Sequence, residues 1–302
     1  METDADRTSL MDRATTRNSY GKALKTAFGK LNFSRRSAAI LLPCGILAII
    51  GLIAVFAPVL TPYSPNSQNL TARLEFPSSA HPFGTDHLGR DVLSRLIAGS
   101  RFSLAITTVS VLISGIAGTL VGAISGRAGG TVDEAVMRVV DVVLVFPELV
   151  VAFALASLLK PSFATIVLAV TLFAWTPYAR LARAVTLEVN TREFMEAAVA
   201  LGSTPMFILR RHVLPNIMGP ILAMGFLRFG QVLITIAGLS YLGVGAQPPT
   251  PDWGAMLWEA QPYMRRVPFL TLIPGATIFV TALSVTLLGQ RLMLRTQLRA
   301  RA

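Results

Sequence analysis

Few residues in this chain are equipped for chemistry, and their spacing limits what that chemistry could be. His81 and His87 belong to the polar stretch His81-Pro82-Phe83-Gly84-Thr85-Asp86-His87-Leu88-Gly89-Arg90-Asp91. Two histidines at that separation fit no strong metal motif, so they read as solvated or hydrogen-bonded loop residues and no metal site is assigned. Glu134, Arg138 and Asp141 follow one another at four and three residues, which puts them on one helical face. Such a row could line a substrate or ion path, or form an ion-pair ladder that neutralises itself; its position in the first turns of an apolar run favours the ladder. Arg228 and Gln231 lie near the middle of another apolar run and on one face. They point into a helix bundle, toward an aqueous translocation path or toward a partner on another subunit.

Other chemistry is missing from the pattern. There is no G-x-x-x-x-G-K-[ST] phosphate loop, no G-x-S-x-G elbow, no H-E-x-x-H and no cysteine pair, since Cys44 is the single cysteine. No catalytic residue and no cofactor site is assigned. A chain of this kind that moved a solute uphill would draw on an ion gradient or on a separate energy-supplying subunit.

The elements that carry these residues are membrane spans. Charged residues make up 14% of the 302 positions against 53% hydrophobic, where a soluble domain carries about 25% charged. Residues 1–36 are polar, hold eight basic groups and show no apolar period, which reads as a cytoplasmic, partly disordered tail. The apolar run 38–60 is longer than a signal-peptide core and lacks a small-residue cleavage site, so it is expected to stay as a span. Five further spans are expected at about 102–125, 132–159, 163–182, 216–238 and 269–290, giving an all-α integral membrane protein with six crossings. With both termini in the cytoplasm, 18 of the 27 basic residues fall on the inner side and seven on the outer. The positive-inside rule favours that orientation, and it makes nucleic acid an unneeded partner for the +11 net charge.

Between the spans, the outer segment 61–101 leaves the membrane extended through Pro58, Pro62 and Pro65. It ends in an expected interfacial helix, 88–98, on which Asp91 and Arg95 could pair. Pro147 should kink the third span. In the outer loop 241–268, Asp252 is expected to cap a helix, with Trp253, Trp258 and Tyr263 at the headgroup belt.

The stretch 190–215 is the polar interruption that needs explaining. Asn190 three residues before Glu193 is an N-terminal capping pattern. The helix that follows carries Phe194, Ala197, Ala198 and Leu201 on one mostly small apolar face. Gly202 suits the left-handed end of that helix, Thr204 and Pro205 suit the start of a second, and Pro215 should end the second before the membrane is re-entered. Two short helices with a glycine elbow could be a DNA reader, a connector or a ball for another protein's socket. Pro205, Met206, Phe207 and Ile208 are poor base readers, and a connector needs no small-residue face, so the socket reading is preferred.

Glu196-Ala197-Ala198, then Gly202, then His212-Val213-Leu214-Pro215 resembles the signature of permease subunits of binding-protein-dependent ABC importers, with His212 where isoleucine is common. The stretches 81–91, 132–138 and 239–245, with Pro-x-x-Pro-x-Trp-Gly-Ala-Met-Leu at 248–257, resemble more narrowly the C-type permease of the oligopeptide, dipeptide and nickel group. The similarity covers about residues 35–290; the Arg-rich ending 291–302, expected to be a cytoplasmic tail, departs from it. The resemblance implies the type I importer permease fold in a bacterial cytoplasmic membrane. It implies a homologous permease partner, two ATPase subunits that bind the ATP and magnesium, an extracytoplasmic substrate-binding protein and lipid. It makes Glu196, Ala197, Ala198 and Gly202 the ATPase-coupling element, with Arg210, Arg211, Leu214 and Pro215 beside it. The cargo implied is a di- or oligopeptide; nickel or another small solute, or an autonomous ion-coupled transporter, are the alternatives.

Overall fold

The structure is a computed structural model that describes residues 40–160 and 162–300, the last six of these by backbone alone. The expected tail 1–36 lies outside the described residues. The chain falls into two units, Met1–Gly45 and Ile46–Ala302; of the first, the described residues are the opening turns of helix α1.

Every regular element among the described residues is helical. Besides short turns at Leu70–Ala72, Leu209–Val213 and Gln261–Tyr263, they are α1 (Ile40–Leu60), α2 (Val92–Ala128), α3 (Gly130–Val145), α4 (Glu148–Leu158), α5 (Phe163–Ala174), α6 (Thr176–Asn190), α7 (Glu193–Ala200), α8 (Pro205–Ile208), α9 (Leu214–Tyr241), α10 (Trp253–Ala260) and α11 (Phe269–Ala300). Five stretches are long and apolar enough to cross a membrane: Ile40–Leu60, Val92–Ala128, Phe163–Asn190, Pro205–Tyr241 and Phe269–Leu294. The sixth is α3 with α4, if the pair is one span, bent by 83°.

Several expectations change at these joints. The third span breaks where only a kink is expected, because Pro147 drives Phe146 out of the helical region to φ −77°, ψ 136°. The fourth span runs on past residue 182 to Asn190: Trp175 keeps right-handed helical dihedrals, and Pro177 falls in the first turn of α6, where its missing N–H does no harm. No separate interfacial helix covers 88–98, since Asp91 caps a helix that starts at Val92 and continues for 37 residues. Pro215 does not stop the second short helix either. A π turn at Leu209–Val213, in which the Leu214 N–H reaches the Leu209 carbonyl, widens the ladder just where the proline ring would press on the preceding turn. The expected C-terminal tail is helical as far as Ala300.

Helices α2 and α9 carry the packing. Gly118, Gly122 and Gly126 recur every four residues on α2, and a Cβ at each would run into α6 at Trp175, Ala179 and Arg183. Small residues at that spacing let two backbones approach without a side chain between them, the dominant way helices associate when lipid removes the hydrophobic contrast. On its other sides α2 joins α4, α5 and α9 around Ile106, Ile166, Val170 and Leu239. A second apolar cluster, Val92, Leu233, Trp253, Val267 and Leu270, ties α2 and α9 to α10 and α11.

Candidate functional site

The elbow at 190–215 is built by local backbone chemistry. Helix α7 ends as a Schellman motif: Gly202 adopts φ +76°, its N–H donates to the Val199 carbonyl, and the Ser203 N–H donates to the Ala198 carbonyl. Thr204 then caps α8 by accepting from the Phe207 N–H at 3.3 Å, with Pro205 at the first helical position. The start of α7 differs from expectation. Asn190 is the last residue of α6, not a cap; its side-chain N–H donates to the Gly126 carbonyl at 3.2 Å. Arg192 precedes α7 without a capping side chain, so the first turn relies on Glu193 and Glu196 against the positive helix end.

The small-residue face divides between two surroundings. Ala198 and Met195 are buried, and Met195 packs with Val189, Ile208, Leu209 and Val213. Phe194, Glu196, Ala197, Val199 and Leu201 are exposed, Leu201 at 86%. A helix places adjacent residues about 100° apart, so Ala197 can face outward while Ala198 seats α7 on its own chain. Gly202, Arg210, Arg211 and Pro215 are exposed beside it, and Leu214 is half-buried against the cluster that holds Met195. His212 touches both neighbours, its ring 5.7 Å from that of Phe194 and 5.9 Å from that of Phe207. It therefore ties α7 and α8 to the π turn, which runs on into α9.

Helix α6 leads into this elbow and is itself fixed. Asp133, at the start of α3, accepts from the Arg183 side chain at 2.7 Å and from the Ser125 hydroxyl at 2.6 Å. Asp141 pairs with Arg180 farther along. The expected ladder of Glu134, Arg138 and Asp141 is absent among the described residues: the acids of α3 that pair do so with α6. Asp133 escaped sequence reading because its partner is 50 residues away, although Arg180 and Arg183, three apart, present the complementary charges on one face.

Arg228 and Gln231 are brought together as expected, the Arg228 Nη1 donating to Gln231 at 2.9 Å. The remaining partner is in this chain: Arg228 Nη2 lies 3.3 Å from Glu148, the first residue of α4. Sequence reading took its neighbour Pro147 for a kink and left Glu148 unremarked.

At the end of the bundle expected to face outward, the Asp91–Arg95 pair does not form. Asp91 caps α2 through the Ser94 N–H and meets His81 at 2.9 Å. Arg95 reaches Glu259 on α10 at 3.0 Å, and Arg90 bridges Asp86 at 2.6 Å and Glu259 at 2.5 Å. Asp86, His87 and Glu259 could offer ligand atoms to one cation, yet two guanidiniums already neutralise the two carboxylates, so a divalent ion would meet uncompensated positive charge. His87 instead stacks on Tyr263 at 5.7 Å. Burial pushes its pKa down, with Asp86 and Glu259 pulling the other way. Trp253 is not at the headgroup belt: it is 1% exposed, with its indole N–H on the Leu96 carbonyl at 3.0 Å. Asp252 caps α10 as expected and also accepts from the Ser103 hydroxyl.

Residues 118–297 match the family described as binding-protein-dependent transport system inner membrane component. Residues 33–78 match the N-terminal TM domain of oligopeptide transport permease C. The chain is 40% identical over 261 residues to the glutathione transport system permease protein GsiD of Pectobacterium atrosepticum, covering 86% of each. It is 37% identical over 244 residues to the probable D,D-dipeptide transport system permease protein DdpC of Escherichia coli K12, covering 81% of this chain and 82% of the relative. A dipeptide transport system permease protein, DppC of Alkalihalophilus pseudofirmus, is 36% identical over 82% of this chain and 84% of its own. Among solved structures, the inward-facing MetNI methionine ABC transporter shares the fold, with TM-score 0.57 at 17% identity over 67% of this chain and 96% of that one. With the helices, the bent α3–α4 pair and the elbow in place, the chain belongs to the inner membrane components of binding-protein-dependent transport systems, the multi-pass permease subunits of ABC importers.

Proposed function

We propose that this subunit forms half of the translocation path of a peptide importer in a bacterial cytoplasmic membrane. It pairs with a homologous permease, two ATPase subunits that bind ATP and magnesium, and an extracytoplasmic binding protein. It performs no bond chemistry itself. The cargo reading rests on relatives named for glutathione and dipeptides, which are small molecules with free charged ends.

The observation that carries the coupling role is α7: a short, glycine-terminated helix with an exposed Phe194–Ala197–Leu201 stripe, joined to spans at both ends. An ATPase socket that takes this stripe would move α7 when the nucleotide sites close. On one side the push passes through α6, locked to α2 and α3 by the glycine seam and the Asp133–Arg183 pair. On the other it passes through His212 and the π turn to α9. Packed helices switch as groups between arrangements, so a small displacement of α7 becomes a change of access in the path. Glu196, Ala197 and Gly202 form the outward side of this joint, Ala198 and Leu214 its seat, and Pro215 the start of the span it drives. Arg210 and Arg211 add ionic contacts to the ATPase or to anionic lipid. Arg228 and Gln231 belong to the path.

Replacing Gly202 by valine tests the joint, because a β-branched residue is strongly disfavoured at positive φ. The assembled Gly202→Val complex should insert and hydrolyse ATP without taking up cargo. Normal uptake by that variant would remove the coupling assignment.

A further inference from the structure

We infer that Glu148 and Arg228 form a station in the path for the charged ends of a peptide, Arg228 taking the carboxylate and Glu148 the ammonium. The inference rests on the peptide reading above and names the residues that would recognise that cargo inside the membrane.

Arg228 stands in the middle third of α9, and Glu148 opens α4 immediately after the 83° break. Their contact is single and moderately long, 3.3 Å, with side-chain exposures of 14% and 30%. A guanidinium has five N–H donors. Here one meets Glu148, one meets Gln231, and Nε is buried with no partner. A pair kept purely for stability gains nothing from unmet donors, and apolar residues of similar volume hold buried positions as well or better. Charges inside spans are costly and face protein or water that uses them.

A zwitterionic cargo accounts for the pairing. When its carboxylate reaches Arg228 and its ammonium reaches Glu148, each fixed charge exchanges one opposite partner for another, so no charge is left unpaired in a low-dielectric path. When the peptide leaves, the two side chains close on each other again. Gln231, which is exposed, offers a further hydrogen bond to the passing amide or carboxylate.

The test uses the full assembly with its partner subunits in proteoliposomes, and dialanine as the probe. The double variant Glu148→Gln/Arg228→Gln leaves no unpaired buried charge, so it is expected to assemble. Its dialanine uptake should fall about tenfold or more, the usual effect of losing charge-assisted hydrogen bonds, while ATP hydrolysis stimulated by the loaded binding protein persists. Arg228→Lys, which keeps the charge, should retain more uptake than Arg228→Gln. Parent-level uptake by the double variant would overturn the station and reduce the pair to a structural bridge. An unsubstituted assembly that transports no peptide would overturn the cargo reading and the station with it, so the two failures are told apart by the parent protein alone.

Discussion

The segment 62–91, expected on the outer side, and helix α7, expected on the inner, are both polar departures from the spans, and they are held in opposite ways. The outer segment is tied by charge. Arg90 and Arg95, each under 5% exposed, share Glu259 and Asp86, while Asp91 fixes both His81 and the first turn of α2. Helix α7 is tied by little more than Met195, Ala198 and one ring contact, Phe194 to His212. A surface that receives a preformed partner benefits from rigidity, and an arm that must be pushed benefits from few bonds. Under the proposed function, in which the segment 62–91 faces the binding protein and α7 faces the ATPase, the difference in fastening follows the difference in task.

The strongest way to break this comparison is to remove the centre of the outer network. Glu259→Gln leaves two buried guanidiniums short of their shared carboxylate, and breaking a buried pair from one side costs about 3–5 kcal/mol. The purified protein should show a large fall in thermal midpoint and in folded yield. A loss below about 1 kcal/mol, the size of an exposed pair, would mean that the outer segment is no more firmly held than α7.

Glycines sharpen the comparison at the next level. Gly122→Ala places a methyl group on the Ala179 backbone of α6, with no flexible atom to yield, and overpacking of this kind costs about 1–3 kcal/mol. At Gly202 nothing lies within 4 Å of a new Cβ, so Gly202→Ala pays only for its left-handed backbone, about 1–2 kcal/mol. The expected signature is a separation of readouts. Gly122→Ala should lower the thermal midpoint by loosening α2 from α6, whereas Gly202→Ala should lower uptake more than it lowers the midpoint. Equal effects of both substitutions on both readouts would contradict a rigid α6 with a movable α7.

These differences also mark what the sequence could disclose. The elbow was legible because its signals are local: Gly202 after an apolar helix, then Thr204-Pro205, each acting on backbone within a few residues. The spans were legible from the lengths of apolar runs, and Arg228 from a charge in the middle of one. The partners of those charges were not, since Glu148, Asp133 and Glu259 meet arginines 80, 50 and 164 residues away. Helical spacing made Glu134, Arg138 and Asp141 look like a ladder, and only the crossing of α3 and α6 shows which acids pair. Trp253 misled for the same reason: composition suits it to the interface, and burial depends on α2 and α10 meeting.

The smallest expected effect concerns pH at the outer end. Burial holds His87 below its ordinary value of about 6.5, with Arg90 and Arg95 adding to the depression while Asp86 and Glu259 oppose it. The folded protein thus keeps a neutral ring stacked on Tyr263 at a pH where the unfolded chain has begun to take up a proton. For a histidine whose folded pKa is lowered, the contribution to stability is complete above about pH 6.5 and is lost as the pH falls through that value toward the folded pKa. Amides of 84–90 should accordingly lose hydrogen-exchange protection between pH 7.5 and 5.5, after correction for intrinsic rates, and those of α7 should not. His87→Gln should flatten the profile of the outer segment. Protection of 84–90 that stays constant across that range would show that the ring accepts its proton without disturbing the network, and that arginine–carboxylate pairing alone makes the outer end firmer than α7.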